Sequence, residues 1–244
     1  MWTADAIEKI RDIVRDSTEA ELFEEVIPGV VLADRPLHVI APPSMEPVAV
    51  NTLTGLCDLI RNEKDFLERN GLCVTVLVQS PDSVSVLTGI RGDRRREKPF
   101  LAEANIEPFR FGTFIDPESF IIGLRSQFVQ NEDSDYLLKL LQRIQGSKAV
   151  TALDNGITQQ IETKSGVVLM GNEKTRPILT LAPYRTFIEI KQPESEFLLR
   201  INDGMNVALF EADGAAWRNE AMLRIRAYLT EAIGNLDHVA AVVA

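Results

Sequence analysis

The stretch Thr180–Trp217 reads TLAPYRTFIEIKQPESEFLLRINDGMNVALFEADGAAW, and its reading sets the fold class. Phe197, Leu199 and Ile201 alternate with Leu198 and Arg200, the period of two that places successive side chains on opposite faces of a strand. Asn202-Asp203-Gly204 follows as a hairpin turn, because Asn, Asp and Gly tolerate positive φ at low cost. The segment NVALF then returns as the partner strand. Asp213 is placed to cap a helix and Gly214 to permit the turn into it. Pro183 and Pro193 mark two bends, and FIEIK between them is strand-like.

The same period extends upstream to residue 148. Ile157, Gln159 and Ile161 alternate with Thr158, Gln160 and Glu162, and Asp154-Asn155-Gly156 and Lys164-Ser165-Gly166 supply further turns. The region 148–211 therefore reads as an antiparallel meander. Helices flank it. Asp116-Pro117-Glu118 is a helix start, with Asp as cap, Pro in the first turn and Glu favouring the dipole. Phe120, Ile121, Leu124 and Phe128 form its apolar side. A second helix from about Asp133 presents Tyr136, Leu137, Leu140, Leu141 and Ile144, and Gly146 ends it. A last helix spans about 215–233.

Towards the N-terminus, residues 52–69 place Leu53, Leu56, Cys57, Ile60 and Leu67 on one helical face, and Asn70-Gly71 stops the helix. Leu72–Gln79 and Val84–Leu87 read as a hairpin through the turn Ser80-Pro81-Asp82-Ser83. Residues 4–26 read as helix, with Ile7, Ile10, Ile13 and Val14 on one face and Leu22, Phe23 and Val26 as a second run. Pro28-Gly29 stops it, and Ala41-Pro42-Pro43-Ser44-Met45-Glu46-Pro47 is a linker. The expected fold is α+β: an antiparallel β-meander in the C-terminal half packed with helices, and an amphipathic N-terminal helical arm. The expected division is 1–28 as the arm, 36–233 as a single α+β domain and 234–244 as a C-terminal tail. No run of βαβ units points to a doubly wound sheet.

The 244 residues carry a net charge of −10, with 45% hydrophobic and 25% charged residues. That length buries roughly 70% of the unfolded surface, enough to fold without disulfides or a structural metal. The acidic balance argues against a protein whose whole surface wraps nucleic acid. Cys57 and Cys73 are expected as buried, reduced thiols. The first residues lack an apolar signal core, and no run reaches the roughly 18 apolar residues of a membrane span. The expectation is a cytoplasmic protein without membrane contact.

Several chemistries lack their motifs: there is no GxxxxGK[ST] loop, no GxGxxG fingerprint and no GxSxG elbow. The only histidines, His38 and His238, are scattered relative to the cysteines, which disfavours zinc. Glu189-Ile190-Lys191 on one strand face matches what metal-dependent nucleases use, with Glu on a divalent cation and Lys orienting water. It also matches the solvated face of an alternating strand, and the nearest acidic partners upstream are Asp82 and Asp154. Glu211 and Asp213, with Glu194 and Glu196, read either as a cation pocket or as turn and cap residues. Arg91-Gly92-Asp93-Arg94-Arg95-Arg96-Glu97-Lys98 holds five positive and two negative charges. It reads as a phosphate contact for nucleic acid or a nucleotide, with Arg185 as a further member, or as a solvated loop. Tyr184, Arg185, Glu189 and Lys191 read as an interaction surface, since Tyr and Arg concentrate at hot spots, or as sheet-edge packing. Asn235–Ala244 ends in small apolar residues. These fold back as an edge strand or dock on a neighbouring subunit.

Five motifs in combination resemble the YfdQ-like family of phage and prophage proteins. They are Phe120-Ile121-Ile122-Gly123-Leu124 with Phe128-Val129, Asp154-Asn155-Gly156-Ile157-Thr158-Gln159-Gln160, Leu181-Ala182-Pro183-Tyr184-Arg185-Thr186-Phe187, Gln192-Pro193-Glu194-Ser195, and Ala208-Leu209-Phe210-Glu211-Ala212-Asp213-Gly214 with Trp217. The resemblance covers roughly residues 36–231. It implies a phage or prophage origin and a role inside the infected bacterium, and it supplies no catalytic residues. The expectation is a non-enzymatic accessory protein that self-assembles into a homo-oligomer, with no catalytic residue, metal or cofactor. A nucleotide or nucleic-acid binder using Arg91, Arg94, Arg95, Arg96 and Arg185 is the alternative. A metal-dependent nuclease through Glu189 and Lys191 is the third reading.

Overall fold

The computed structural model describes residues 4–18, 22–27, 30–33, 45–69, 73–90, 94–145, 149–154, 159–165, 168–174, 176, 178–202 and 204–244. Contacts divide the chain into two units, Met1–Ser44 and Met45–Ala244.

The first unit holds helix α1 (Ala4–Thr18) and strands β1 (Leu22–Ile27) and β2 (Val30–Ala33). The two strands pair antiparallel, with Leu22 opposite Ala33 and Phe23 opposite Leu32. The helix expected to reach residue 26 therefore stops at Thr18. The run LFEEVI ends in two β-branched residues, and its antiparallel partner VVLA opens with two more. A hairpin there satisfies both segments where a helix would satisfy one. Pro28, Gly29, most of the expected linker and His38 lie outside the described residues.

The second unit begins with β3 (Val48–Val50), α2 (Leu53–Asn62), α3 (Lys64–Arg69), β4 (Val74–Ser80), β5 (Ser83–Thr88) and β6 (Phe100–Glu103). Thr52 starts α2, its hydroxyl accepting from Gly55 N at 3.1 Å. The expected 52–69 helix is thus two helices that break at Glu63. The hairpin expected at 72–87 is β4 and β5, antiparallel, with Val76 opposite Val86.

Next come α4 (Pro117–Ser126), β7 (Phe128–Val129) and α5 (Glu132–Gln145). Asp116 caps α4 through Ser119 N at 2.9 Å. That backbone hydrogen bond, with a further one from the Ser119 side chain, lowers the Asp116 pKa. Asn131 and Ser134 start α5 reciprocally, each side chain accepting from the other's N–H at 2.8 Å, so both orphan donors are satisfied. Gly123 in α4 is required by packing: a Cβ there would sit 2.8 Å from the Phe109 ring.

The meander follows as β8 (Ala149–Asp154), β9 (Gln159–Ser165), β10 (Val168–Lys174), β11 (Ile178–Pro183), β12 (Ser195–Ile201) and β13 (Val207–Glu211); α6 (Trp217–Ile233) and β14 (Val239–Val243) complete the chain. The fold is α+β, with antiparallel strands in the C-terminal half. The meander divides into two sheets: β8, β9 and β10 form one, and β13-β12-β11-β7 the other. Asn155 to Thr158, Gly166 and Asp203 lie outside the described residues. In the Asn202–Asn206 turn the left-handed residue is Met205, at φ 62°, rather than Gly204.

A five-stranded sheet runs β14-β4-β5-β6-β3. Here β14 is parallel to β4 and β3 parallel to β6, while the inner pairs are antiparallel. The segment 234–244, expected as a tail, thus folds back as an edge strand of the main sheet. Two cores result. One joins Leu56, Cys57 and Ile60 of α2, Val74, Val76 and Val78 of β4, and Ile225, Leu229 and Ile233 of α6. The other joins Phe120 and Leu124 of α4, Leu137 and Leu141 of α5, and Leu179, Phe197 and Leu209 of the four-stranded sheet. Phe109 sits at the centre of the second, edge-on to Phe120 and Phe128 with centroids 5.4 and 5.0 Å away.

Candidate functional site

The eleven residues Tyr184–Glu194 connect β11 to β12. They form a wedge that belongs by sequence to the second core and by packing to the first. Phe187 and Ile190 are buried in the first core beside α2 and α6. Ile190 N donates to Phe187 O at 3.4 Å, closing a turn across residues 187–190. FIEIK is therefore a turn and not a strand. A strand would put Phe187, Glu189 and Lys191 on one face and Ile188 and Ile190 on the other. Instead Phe187 and Ile190 enter the core together, and Ile188 is 73% exposed.

Backbone groups inside the wedge find partners through Gln192, which is buried. Its Oε1 accepts from Arg185 N at 3.1 Å, and its Nε2 donates to Phe187 O at 3.0 Å. Thr186, fully buried, donates its hydroxyl proton to Pro81 O in the β4–β5 turn. Tyr184 N donates to Gln127 O at 2.8 Å. On the far side Arg224 Nη1 donates to Lys191 O at 2.7 Å.

Arg185 closes the wedge from within and is buried. Its Nη1 donates to Glu211 Oε1 at 2.7 Å, and its Nη2 donates to Ser195 Oγ. Ser195 in turn donates to Asp213 Oδ2 at 2.7 Å. The guanidinium lies 3.9 Å from the centroid of the Trp217 ring and 5.7 Å from that of Phe197. Burial pulls the Arg185 pKa down to about 10, with Glu211 and Asp213 acting in the opposite sense. For Asp213, burial raises the pKa, but hydrogen bonds from Ser195, Ala215 N and Trp217 N, together with Arg185, outweigh it and leave the carboxyl below its ordinary value.

Arg185 is thus an internal strut. It is neither part of an exposed interaction surface nor available to join a phosphate site. Asp213 does not cap α6 in the expected way: the residue before the helix is Ala216, which makes no side-chain cap, and Asp213 accepts from Ala215 N at 3.1 Å. Gly214 and Ala215 both take left-handed backbone, at φ 60° and 65°, to deliver Trp217 onto the guanidinium.

Glu189 is half-buried, and its Oε1 accepts from Thr54 N, in the first turn of α2, at 3.3 Å. A carboxylate at that end is favoured by the helix dipole. Tyr228 on α6 meets the Thr54 hydroxyl at 3.0 Å. Lys191 points away to Glu194, 3.6 Å from its carboxylate. Glu189 and Lys191 therefore do not share a strand face, and the geometric premise of the nuclease reading is overturned. Among the described residues no group of three or more His, Cys, Asp or Glu side chains is placed to share a metal ion. Beside Glu189, Asn51, Thr52, Asn105, Ile106, Phe187 and Ile188 line a cleft of about 200 Å³, below the roughly 300 Å³ where small-molecule sites usually begin.

The basic loop lies between β5 and β6. Arg94, Arg95 and Arg96 are exposed, while Arg91 lies outside the described residues. Arg96 Nη1 donates to Thr88 O at 2.8 Å, and Arg94 is left-handed at φ 62°. Of the two cysteines, Cys57 is buried and Cys73 is exposed, against the expectation that both are buried; both are free. Burial pushes the Cys57 thiol up to about 11. His238 is buried, with Nε2 3.2 Å from Ile60 O. No described helix is long and apolar enough to cross a membrane.

Gln192, Ser195 and Trp217 carry the wedge, yet the sequence singles them out only as parts of a resemblance. The available signal is local: Pro183 and Pro193 delimit a segment whose one amide, Gln192, stands beside a bend. Comparison with protein-family models, curated proteins and solved structures finds no match to this chain.

Proposed function

We propose that the protein is a non-enzymatic, self-assembling accessory protein whose activity resides in a homo-oligomer. The observation that carries this reading is the apolar stripe of α1. Ile7, Ile10, Ile13 and Val14 are 58%, 44%, 60% and 52% exposed, and their spacing puts all four within one arc of the helix. Four aliphatic side chains in one arc form the kind of contiguous patch that marks a protein contact. The non-enzymatic part of the reading is supported by the wedge, where Arg185, Gln192, Ser195, Glu211 and Asp213 are engaged in holding the fold. The resemblance to the YfdQ-like family supports a bacteriophage or prophage origin and a site of action in the bacterial cytoplasm.

Light scattering on the purified full chain tests this. The expected result is one species of mass well above the 27.2 kDa of a single chain, reduced by Ile10→Asp. A single species of 27.2 kDa at micromolar concentration overturns it.

A further inference from the structure

The two sheets that carry the cores have four edges, β14, β3, β13 and β7. A free edge presents unpaired backbone N–H and C=O groups, and folded proteins blunt such edges by shortness, charge, Pro or a covering segment. Three of the four are blunted here. β3 is three residues long and follows Pro47. β7 is two residues long. β13 is covered: Gly112 N donates to Leu209 O at 2.8 Å, and Ile115 and Val207 exchange N–H···O bonds of 3.0 and 2.8 Å.

Among the described residues β14 is neither charged nor interrupted by Pro nor paired along its outer edge, and at five residues it is longer than β3 and β7. Its five residues are VAAVV, without charge or Pro. Its register slips once, between Val239 and Ala241, after which Ala241, Val242 and Val243 follow Thr75, Val76 and Leu77 without interruption. Ala240, Ala241 and Val243 are exposed.

We propose that β14 pairs antiparallel with β14 of a second copy, about a two-fold axis within Ala241–Val243, joining two five-stranded sheets into one. The proposal rests on the assembly reading and adds a second contact to that of the α1 stripe. The chemistry selects the occupant. A bare strand edge is complementary to another strand, since only a strand offers donors and acceptors at matching spacing. In a two-fold antiparallel pair each residue meets its own kind or a near neighbour, so a charged strand would set like charges together. With a net charge of −10 per chain, self-pairing needs an uncharged strand, and VAAVV is one. Its small and β-branched side chains meet without crowding. Asp237, the nearest carboxylate, stands outside the strand, and the two-fold carries the two copies of it to opposite ends, roughly 30 Å apart at about 3.4 Å per residue.

The test uses the full chain and light scattering. Ala241→Lys and Ala241→Glu each place like charges across the axis at an exposed position, so both variants should keep the wild-type Tm while losing at least half the particle mass. An equimolar mixture of the two should recover that mass through Lys–Glu pairing. Folded variants that keep the wild-type mass overturn the β14 contact and leave the assembly reading standing. A mixture that stays dissociated overturns the two-fold pairing. A wild-type protein of single-chain mass overturns the contact and the assembly reading together.

Discussion

The wedge Tyr184–Glu194 and the basic loop between β5 and β6 are both loops rich in charged residues, and both read from sequence as candidate binding surfaces. The structure gives them opposite fates. In the wedge the arginine is buried against Trp217 and paired with Glu211. In the basic loop Arg94, Arg95 and Arg96 are exposed. What separates them is the apolar content beside the charge. Phe187 and Ile190 pull the wedge into a core, and Arg185 must then be neutralised where it lands. Among the described residues of the basic loop Ile90 is 66% exposed, and the tie to the sheet is polar, Arg96 Nη1 donating to Thr88 O at 2.8 Å. An arginine is drawn inside or stays at the surface according to its apolar neighbours.

The comparison breaks most readily at Arg185. Arg185 is buried, but its partner Glu211 is about a third exposed. Removing the guanidinium forfeits its packing on Trp217 and its hydrogen bonds to Glu211 and Ser195 rather than stranding a buried charge, at a cost of about 1.5–3 kcal/mol. Arg185→Ala should therefore lower Tm by roughly 6 °C for a chain of this size, read by circular dichroism. A loss under about 1 kcal/mol would put Arg185 in the same class as the loop arginines, where surface substitutions stay within ~0.5 kcal/mol. Gln192→Ala comes next. It leaves Arg185 N and Phe187 O buried without their partner, at a cost of about 1–3 kcal/mol. Urea denaturation should show a lower midpoint with an unchanged slope, since the folded and unfolded states keep their areas.

The legible parts of the fold are those with local determinants. Asp116-Pro117-Glu118 announces α4 because cap, first-turn Pro and acidic residue act within one turn. The β4–β5 hairpin is legible because its turn and both strands are contiguous. The same logic explains the failures. FIEIK alternates on paper, but burial follows residues 187 and 190, a choice made by the space beside α2 and α6 that no local window contains. LFEEVI fits a helical face until it is seen paired with VVLA. The edge position of β14 depends on β4, which lies far upstream. Of the site, the sequence brings Tyr184, Arg185, Glu189, Glu211 and Asp213 into view, but not that Arg185 faces inward. That orientation requires Ser195, Glu211 and Trp217 to converge from β12, β13 and the start of α6.

A smaller effect sharpens the electrostatics of the wedge. Asp213 has its folded pKa below its unfolded value, near 3.9, because Ser195, the backbone N–H groups and Arg185 overcome burial. A depressed carboxylate pKa contributes stability that is fully present above the unfolded pKa and is lost as pH falls through the folded one. Asp213→Asn should accordingly be less stable than the wild type at neutral pH, with the gap narrowing as pH drops below about 4. A gap that stays constant with pH would mean that Asp213 acts by shape rather than charge.

The smallest effect lies in the basic loop and has the opposite sign. Arg94 is exposed and held at φ 62°, a left-handed conformation that costs an L-residue about 1–2 kcal/mol, whereas glycine adopts it freely. Glycine also loses roughly 0.5–1 kcal/mol more chain entropy on folding. The difference leaves Arg94→Gly more stable by about 0.5 kcal/mol, a rise of roughly 1–2 °C in Tm. Differential scanning calorimetry resolves that shift. The sign matters more than the size: an arginine whose removal stabilises the fold is there for something other than the fold, whereas Arg185 is held in place by the fold. A destabilising Arg94→Gly would show that the basic loop, too, is braced by its charges, and the contrast between the two loops would reduce to one of exposure alone.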